Sequence, residues 1–189
     1  MKMKLLFLSV IVCLMFAPCL QAGEVILYGS TQKAGKLQFS TVTEIPESFL
    51  EGGRGSVFGI RLSSGGVFGY EQNISYSPRF AKQGVKAFQM DSNLLIQAPG
   101  KVVPYATAGL GFIVTWGPDF PDDYDPEKIA AAAFSFGSKF SLNYGGGIKL
   151  RRILGPLGFG FDLRGFTVPN ARDGALHFTQ MSFGAVFTW

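Results

Sequence analysis

The sequence predicts an all-β fold: an eight-stranded antiparallel up-and-down transmembrane β-barrel with short periplasmic turns and longer extracellular loops. Three observations carry that expectation. Stretches with large apolar residues on one alternate phase and small or polar residues on the other recur along the chain. A period of two marks a strand, because successive side chains point to opposite faces of a sheet. The connections between these stretches alternate long and short, the asymmetry of a barrel threaded through a bilayer. Finally, the chain closes on an aromatic residue at the end of its most regular stretch, His177 to Trp189.

Ahead of the first strand lies a leader. Lys2 and Lys4 form a basic n-region, Leu5 to Phe16 (LLFLSVIVCLMF) an apolar h-region, and Leu20-Gln21-Ala22 a cleavage site before Gly23. Residues 1–22 are expected to be a cleaved secretory signal peptide, and residues 23–189 one barrel domain. A transmembrane anchor needs roughly 20 apolar residues, and Pro18 and Gln21 interrupt this run too early. Lipidation of Cys19 is disfavoured by Pro18 directly before it. Both cysteines, Cys13 and Cys19, fall in the leader, so the exported chain is expected to hold neither a disulfide nor a thiolate metal site.

The strands follow in order. Glu24 to Thr31 (EVILYGST) is the first. A long segment, 32–54, follows; its middle, Lys36 to Thr43, either extends the strand or forms a hairpin beyond the membrane. Gly55 to Leu62 sets Phe58, Ile60 and Leu62 against Val57, Gly59 and Arg61, and Ser63-Ser64-Gly65-Gly66 turns the chain. Val67 to Ser77 sets Phe68, Tyr70, Ile74 and Tyr76 against Gly69, Glu71, Asn73 and Ser75. After a loop at 78–84 comes Val85 to Gln97, with Phe88, Met90, Leu94 and Ile96 opposite Gln89, Asp91, Asn93 and Leu95.

Ala98-Pro99-Gly100-Lys101 is a second short turn. Val102 to Trp116 then places Ala106, Ala108, Leu110, Phe112, Val114 and Trp116 on one face; Pro104 is tolerable near a strand end. The excursion 117–137 starts acidic and ends in IAAAAFSF, where a short helical turn is expected. Ser138 to Leu150 is the sixth strand, Arg151 to Pro156 a turn, Leu157 to Val168 the seventh strand, and 169–176 a loop before the last strand. Most of these strands are near the roughly 9–11 residues that cross a bilayer at a tilt. Strands in lipid must close on themselves, because an open edge leaves backbone groups unpaired.

Two stretches carry a resemblance. Met181, Phe183, Ala185, Phe187 and Trp189 share one face of the last strand, and this pattern resembles the C-terminal signal of Gram-negative outer-membrane barrels. The resemblance implies recognition of Met181, Phe183, Phe187 and Trp189 by the barrel assembly machinery. It also implies residence in the outer membrane of a Gram-negative bacterium, in contact with its lipid. The glycine-rich cores YATAGLGF, NYGGGIKL and LGFGFDLRGF are similar to those of the small OmpA-like outer-membrane barrel family, over essentially the whole chain after the leader.

Charge decides which face is inside. Arg61, Glu71, Asp91, Lys149, Asp162 and Arg164 all fall on the phase opposite the large apolar residues. Facing lipid, an Arg or Lys near the midplane would cost about 2–4 kcal/mol, so these six are expected in the lumen as a mutually paired network. Three are basic and three acidic, and an eight-stranded barrel is only just wide enough for side chains to fill it. That balance reads as a plug, not a pore lining.

Other chemistry is sparse. The net charge of +4 and pI near 9.1 raise nucleic acid as a partner, but the cations are dispersed, two belong to the leader, and the compartment is wrong. His177 is the only histidine. Outer-membrane esterases of this size use a Ser–His–acid set, yet no Ser lies two residues from His177 and no acid lies on its strand, so no catalytic residue is expected. Asp119, Asp122, Asp123, Asp125 and Glu127 could attract calcium but lack the spacing of an EF-hand. No cofactor or metal site is expected. The favoured function is a non-enzymatic barrel that anchors the envelope or displays its loops to an extracellular partner. The alternative is a transporter of small apolar molecules or a lipid-modifying esterase.

Overall fold

The computed structural model describes residues 23–35, 52–118, 125–171 and 174–189. The leader, the expected strand extension or hairpin at 36–43, and Asp119, Asp122 and Asp123 lie outside those residues. The described chain forms β1 (Glu24–Ala34), β2 (Arg54–Gly65), β3 (Phe68–Arg79), β4 (Lys86–Gln97), β5 (Val102–Trp116), a helix α1 (Pro126–Phe134), β6 (Gly137–Leu154), β7 (Leu157–Val168) and β8 (Leu176–Thr188). Each strand pairs antiparallel with the next, and β1 pairs with β8 from Glu24↔Thr188 to Ala34↔Phe178, closing the barrel.

All three short connections lie at one end, the turn end, and the longer ones lie at the other, the loop end. Two turns are tighter than the sequence suggests. The ladder takes in Ser63 and Ser64, which face Glu71 and Tyr70, so β2 and β3 are joined only through Gly66 and Val67. The expected turn at 151–156 is instead mostly strand. β6 runs on to Leu154, with an irregular register after Leu150 and a left-handed Arg152 (φ 54°), and Gly155 (φ 62°) with Pro156 makes the turn. A bulge of this kind absorbs extra residues without breaking the pairing. At the other terminus, Trp189 lies just past β8, where its backbone N–H donates to the Gly23 carbonyl at 3.3 Å.

The outer wall is apolar. Phe58, Phe68, Leu94, Leu110, Leu163 and Phe183 stand exposed on it among many other large apolar side chains, a surface that a protein in water does not ordinarily leave uncovered. This is the lipid-facing band of a membrane-spanning barrel. Tyr76 and Trp116 lie 6.2 Å apart at its loop end, while Trp189 marks its turn end. Aromatic rings at both rims suit the two bilayer interfaces.

Inside, the loop end holds an apolar core that the sequence reading does not anticipate. The segment read as a short helical turn is a nine-residue helix. Asp125 caps it, its Oδ1 accepting from the Lys128 N–H at 3.3 Å. Ala131, Ala133 and Phe134 of α1 are buried against Ala34, Phe80, Ala87, Ile113, Phe166 and Phe178. Small alanines allow the helix to settle close. Phe178 stacks on Phe166 at 4.8 Å and meets Phe80 edge-on at 5.4 Å. The inward phase of β7 and β8 therefore changes character along the strand. Asp162, Arg164, Gln180 and Ser182 give way to Phe166, Val168, Phe178 and Leu176.

Candidate functional site

The lumen is the part of the molecule where polar groups converge, and it is layered. At the turn end, Glu24 of β1 forms an ion pair with Lys149 of β6 and accepts from Arg151 Nε at 2.8 Å and Ser63 Oγ at 2.9 Å. Gln97 Oε1 accepts from the same two cations, from Lys149 at 3.3 Å and Arg151 at 2.9 Å. Lys149 Nζ also lies 4.8 Å from the Tyr105 ring centre. A cleft of about 200 Å³ opens beside Glu24, Gln97 and Arg151.

The central layer is more completely buried. Arg61 of β2 pairs with Asp162 of β7 through both guanidinium ends and donates to Ser182 Oγ at 3.0 Å. Arg164 of β7 grips Glu71 of β3 across the lumen in a fork of 2.7 and 3.0 Å, and its Nε reaches Asp162 at 3.3 Å. Tyr105 Oη donates to Asp162 at 3.0 Å and Asn93 Nδ2 to Glu71 at 2.9 Å. Parallel paired bonds to a carboxylate are the strong geometry for arginine. Buried charges of this kind offset their desolvation only when their remaining lone pairs and protons are also met, and here the two carboxylates are.

Glycine makes the crossing possible. The Tyr28 ring lies where a side chain on Gly59 would sit, 2.5 Å from the ideal Cβ position. The Arg61 guanidinium then stacks 3.9 Å from that ring's centre, and Tyr28 Oη donates to Asn73 at 2.7 Å.

Of the six charges expected to pair mutually, four do so: Arg61, Asp162, Arg164 and Glu71. Asp91 is a correction. It borders the cluster, but its carboxylate accepts from Asn73 Nδ2 at 2.9 Å and Gln89 Nε2 at 3.1 Å, amide donors in place of a cation. Lys149 is a second correction, since it sits in the turn-end layer with Glu24. The sequence reading missed Glu24 by treating it as the start of a strand and Arg151 by treating it as a turn. Their phase held the signal: Glu24 alternates in step with Ile26 and Tyr28, and Arg151 with Lys149.

The last strand places Met181, Phe183 and Phe187 outward, with Phe183 stacked on Phe159 at 6.1 Å. His177 is also on the outer wall, near its loop end. Its Nδ1 lies 2.9 Å from Oγ1 of Thr167, its register partner on β7. Among the described residues no carboxylate orients its other nitrogen, so the relay required of a hydrolytic triad is not assembled there. Nor do the described residues bring three His, Cys, Asp or Glu together as a metal site.

Solved structures share this architecture. Neisserial surface protein A superposes with a TM-score of 0.64 at 11% sequence identity, covering 89% of this chain and 98% of that one. The N-terminal barrel domain of Pseudomonas aeruginosa OprF gives a TM-score of 0.49 at 11% identity over 88% of this chain and 98% of the other. Pseudomonas aeruginosa OprG gives 0.48 at 11% identity over 89% and 97%. The likeness to the neisserial protein establishes a shared fold: a closed, eight-stranded outer-membrane-type barrel. No family model and no curated protein sequence matches the chain.

Proposed function

We propose that this protein is a non-enzymatic barrel of the Gram-negative outer membrane, allied to the small OmpA-like barrels, whose lumen is plugged by its own side chains. In this reading the leader exports the chain and the assembly machinery reads the final strand. The short turns then face the periplasm, and the longer connections meet an extracellular partner or the envelope surface. The plugged interior is the observation that carries it. Arg61, Glu71, Arg164 and Lys149 are all nearly or fully inaccessible, and Ile113 and Phe134 are sealed above them. A porin needs a wet path, and two successive layers stand across it.

Planar-bilayer recording tests the reading. The refolded wild type is expected to give no steady conductance, and sustained porin-like current would overturn the plug. The transporter or esterase alternative fares less well. All eight ladders are paired, so the wall offers no lateral gate, and His177 meets a threonine where an esterase needs an activated serine.

Assembly has its own expected outcome. β8 must find β1 to close the wall, and Met181, Phe183, Phe187 and Trp189 present one apolar, aromatic face for recognition. Deleting Trp189 is expected to lower the yield of heat-modifiable folded barrel in outer membranes, measured by gel mobility with and without boiling. Undiminished yield would remove the final strand's assigned role.

A further inference from the structure

The apolar outer wall ends on a cluster of cations at one place. Lys33 on β1 and Arg54 on β2 are register partners, both exposed and both on the outward phase. Like charges directly opposed across a ladder repel. Among the described residues, no acidic side chain forms an ion pair with either of them. Two adjoining depressions flank Lys33. One, of about 280 Å³, is bounded by Thr31, Arg54, Leu163 and Met181; the other, of about 290 Å³, by Tyr144, Gly165 and His177. Lys33 and Thr179, themselves cross-strand partners, line both. Around the same rim Arg79 and Lys86 are exposed, opposite Ser56 and Trp116.

The chemistry of this patch is amphiphilic. Cations and hydroxyls lie at the rim, while Leu163, Met181 and Phe58 stand exposed just below, on the membrane-facing band. An anion seated between Lys33 and Arg54 would relieve their repulsion. A phosphate has three or more acceptor oxygens for an ammonium, a guanidinium and the hydroxyls of Thr31 and Thr179. A soluble anion would leave the apolar floor unused, whereas a lipid would cover it with its acyl chains.

We infer that the β8–β1–β2 wall binds the anionic phosphomonoester headgroup of a lipid in the leaflet at the loop end, with Lys33 and Arg54 as the phosphate clamp. The inference rests on the membrane-spanning reading above.

The test uses the whole barrel refolded into phosphatidylcholine vesicles with or without phosphatidic acid, then released into detergent for native mass spectrometry of retained lipid. Wild type is expected to retain phosphatidic acid in preference to phosphatidylcholine. The double variant Lys33→Gln/Arg54→Gln is expected to lose that preference by roughly tenfold or more, the order set by two cations at a charged lipid surface. Lys101→Gln, at the turn end, is expected to retain it. Equal retention by the double variant and wild type, or full displacement by soluble glycerol phosphate, overturns the lipid clamp. A chain that fails to insert into plain phosphatidylcholine vesicles overturns the membrane-spanning reading itself, and insertion without lipid preference sinks only the clamp.

Discussion

Arg164→Ala is expected to cost the folded barrel on the order of 3–5 kcal/mol, because it strands the Glu71 carboxylate in an interior where almost no water reaches it. Glu71 would keep only the Asn93 amide among the donors that now satisfy it. Asp162 would lose one contact yet keep Arg61 and Tyr105, so the loss falls mainly on Glu71. Urea titration of the barrel in lipid vesicles measures it. A paired replacement, Glu71→Leu with Arg164→Met, is expected to recover much of the loss, since neither member of the pair is then left as an uncompensated charge. Lys128→Ala supplies the contrast: its pair with Asp125 is largely exposed, and such pairs contribute about 0–1 kcal/mol. An Arg164→Ala barrel as stable as the Lys128→Ala one would mean that the centre of the lumen is wet.

Phe178→Ala is expected to be as damaging, at about 3–5 kcal/mol, for a different reason. Phe178 is held between Phe166 and Phe80 in stacked and edge-on contact, and truncating it leaves a void under α1. Its counterpart is Phe183→Ala, the same change five residues along the same strand. Phe183 faces outward with 63% of its surface exposed, where lipid chains replace the lost ring. Its truncation is expected to cost clearly less. The comparison isolates the loop-end core from the general apolarity of β8, and similar losses for both variants would contradict the helix-sealed interior.

These two residues also mark the limit of what the sequence tells. Alternation assigned Arg164 and Phe183 to opposite faces, and it traced the eight strands to within a few residues, because phase follows from the geometry of a strand alone. The same alternation puts Phe166 and Phe178 on the inward phase with Arg164 and Gln180. It does not tell what fills the lumen at their height, because the helix that packs there comes from a connection with no strand phase to read. Which charges meet was equally hidden. Arg164 and Glu71 are separated by 93 positions, and only the stagger of the closed barrel brings them to one height. Glu24 and Arg151 were different, since their phase was legible and reading them as strand start and turn concealed it. The outward pairing of Lys33 with Arg54 depends on the register across the long first connection, which no local pattern encodes.

The helix at the loop end has a consequence for how this surface can diverge. A surface connection is ordinarily free to drift in sequence. Here the run from Ala130 to Phe134 is spent indoors. Enlarging Ala131 or Ala133 would overpack the core they share with Phe80 and Phe178 and cost about 1–3 kcal/mol. Substitution is therefore constrained from Ala130 to Phe134, while the exposed Lys128 in the first turn of the same helix is free to change.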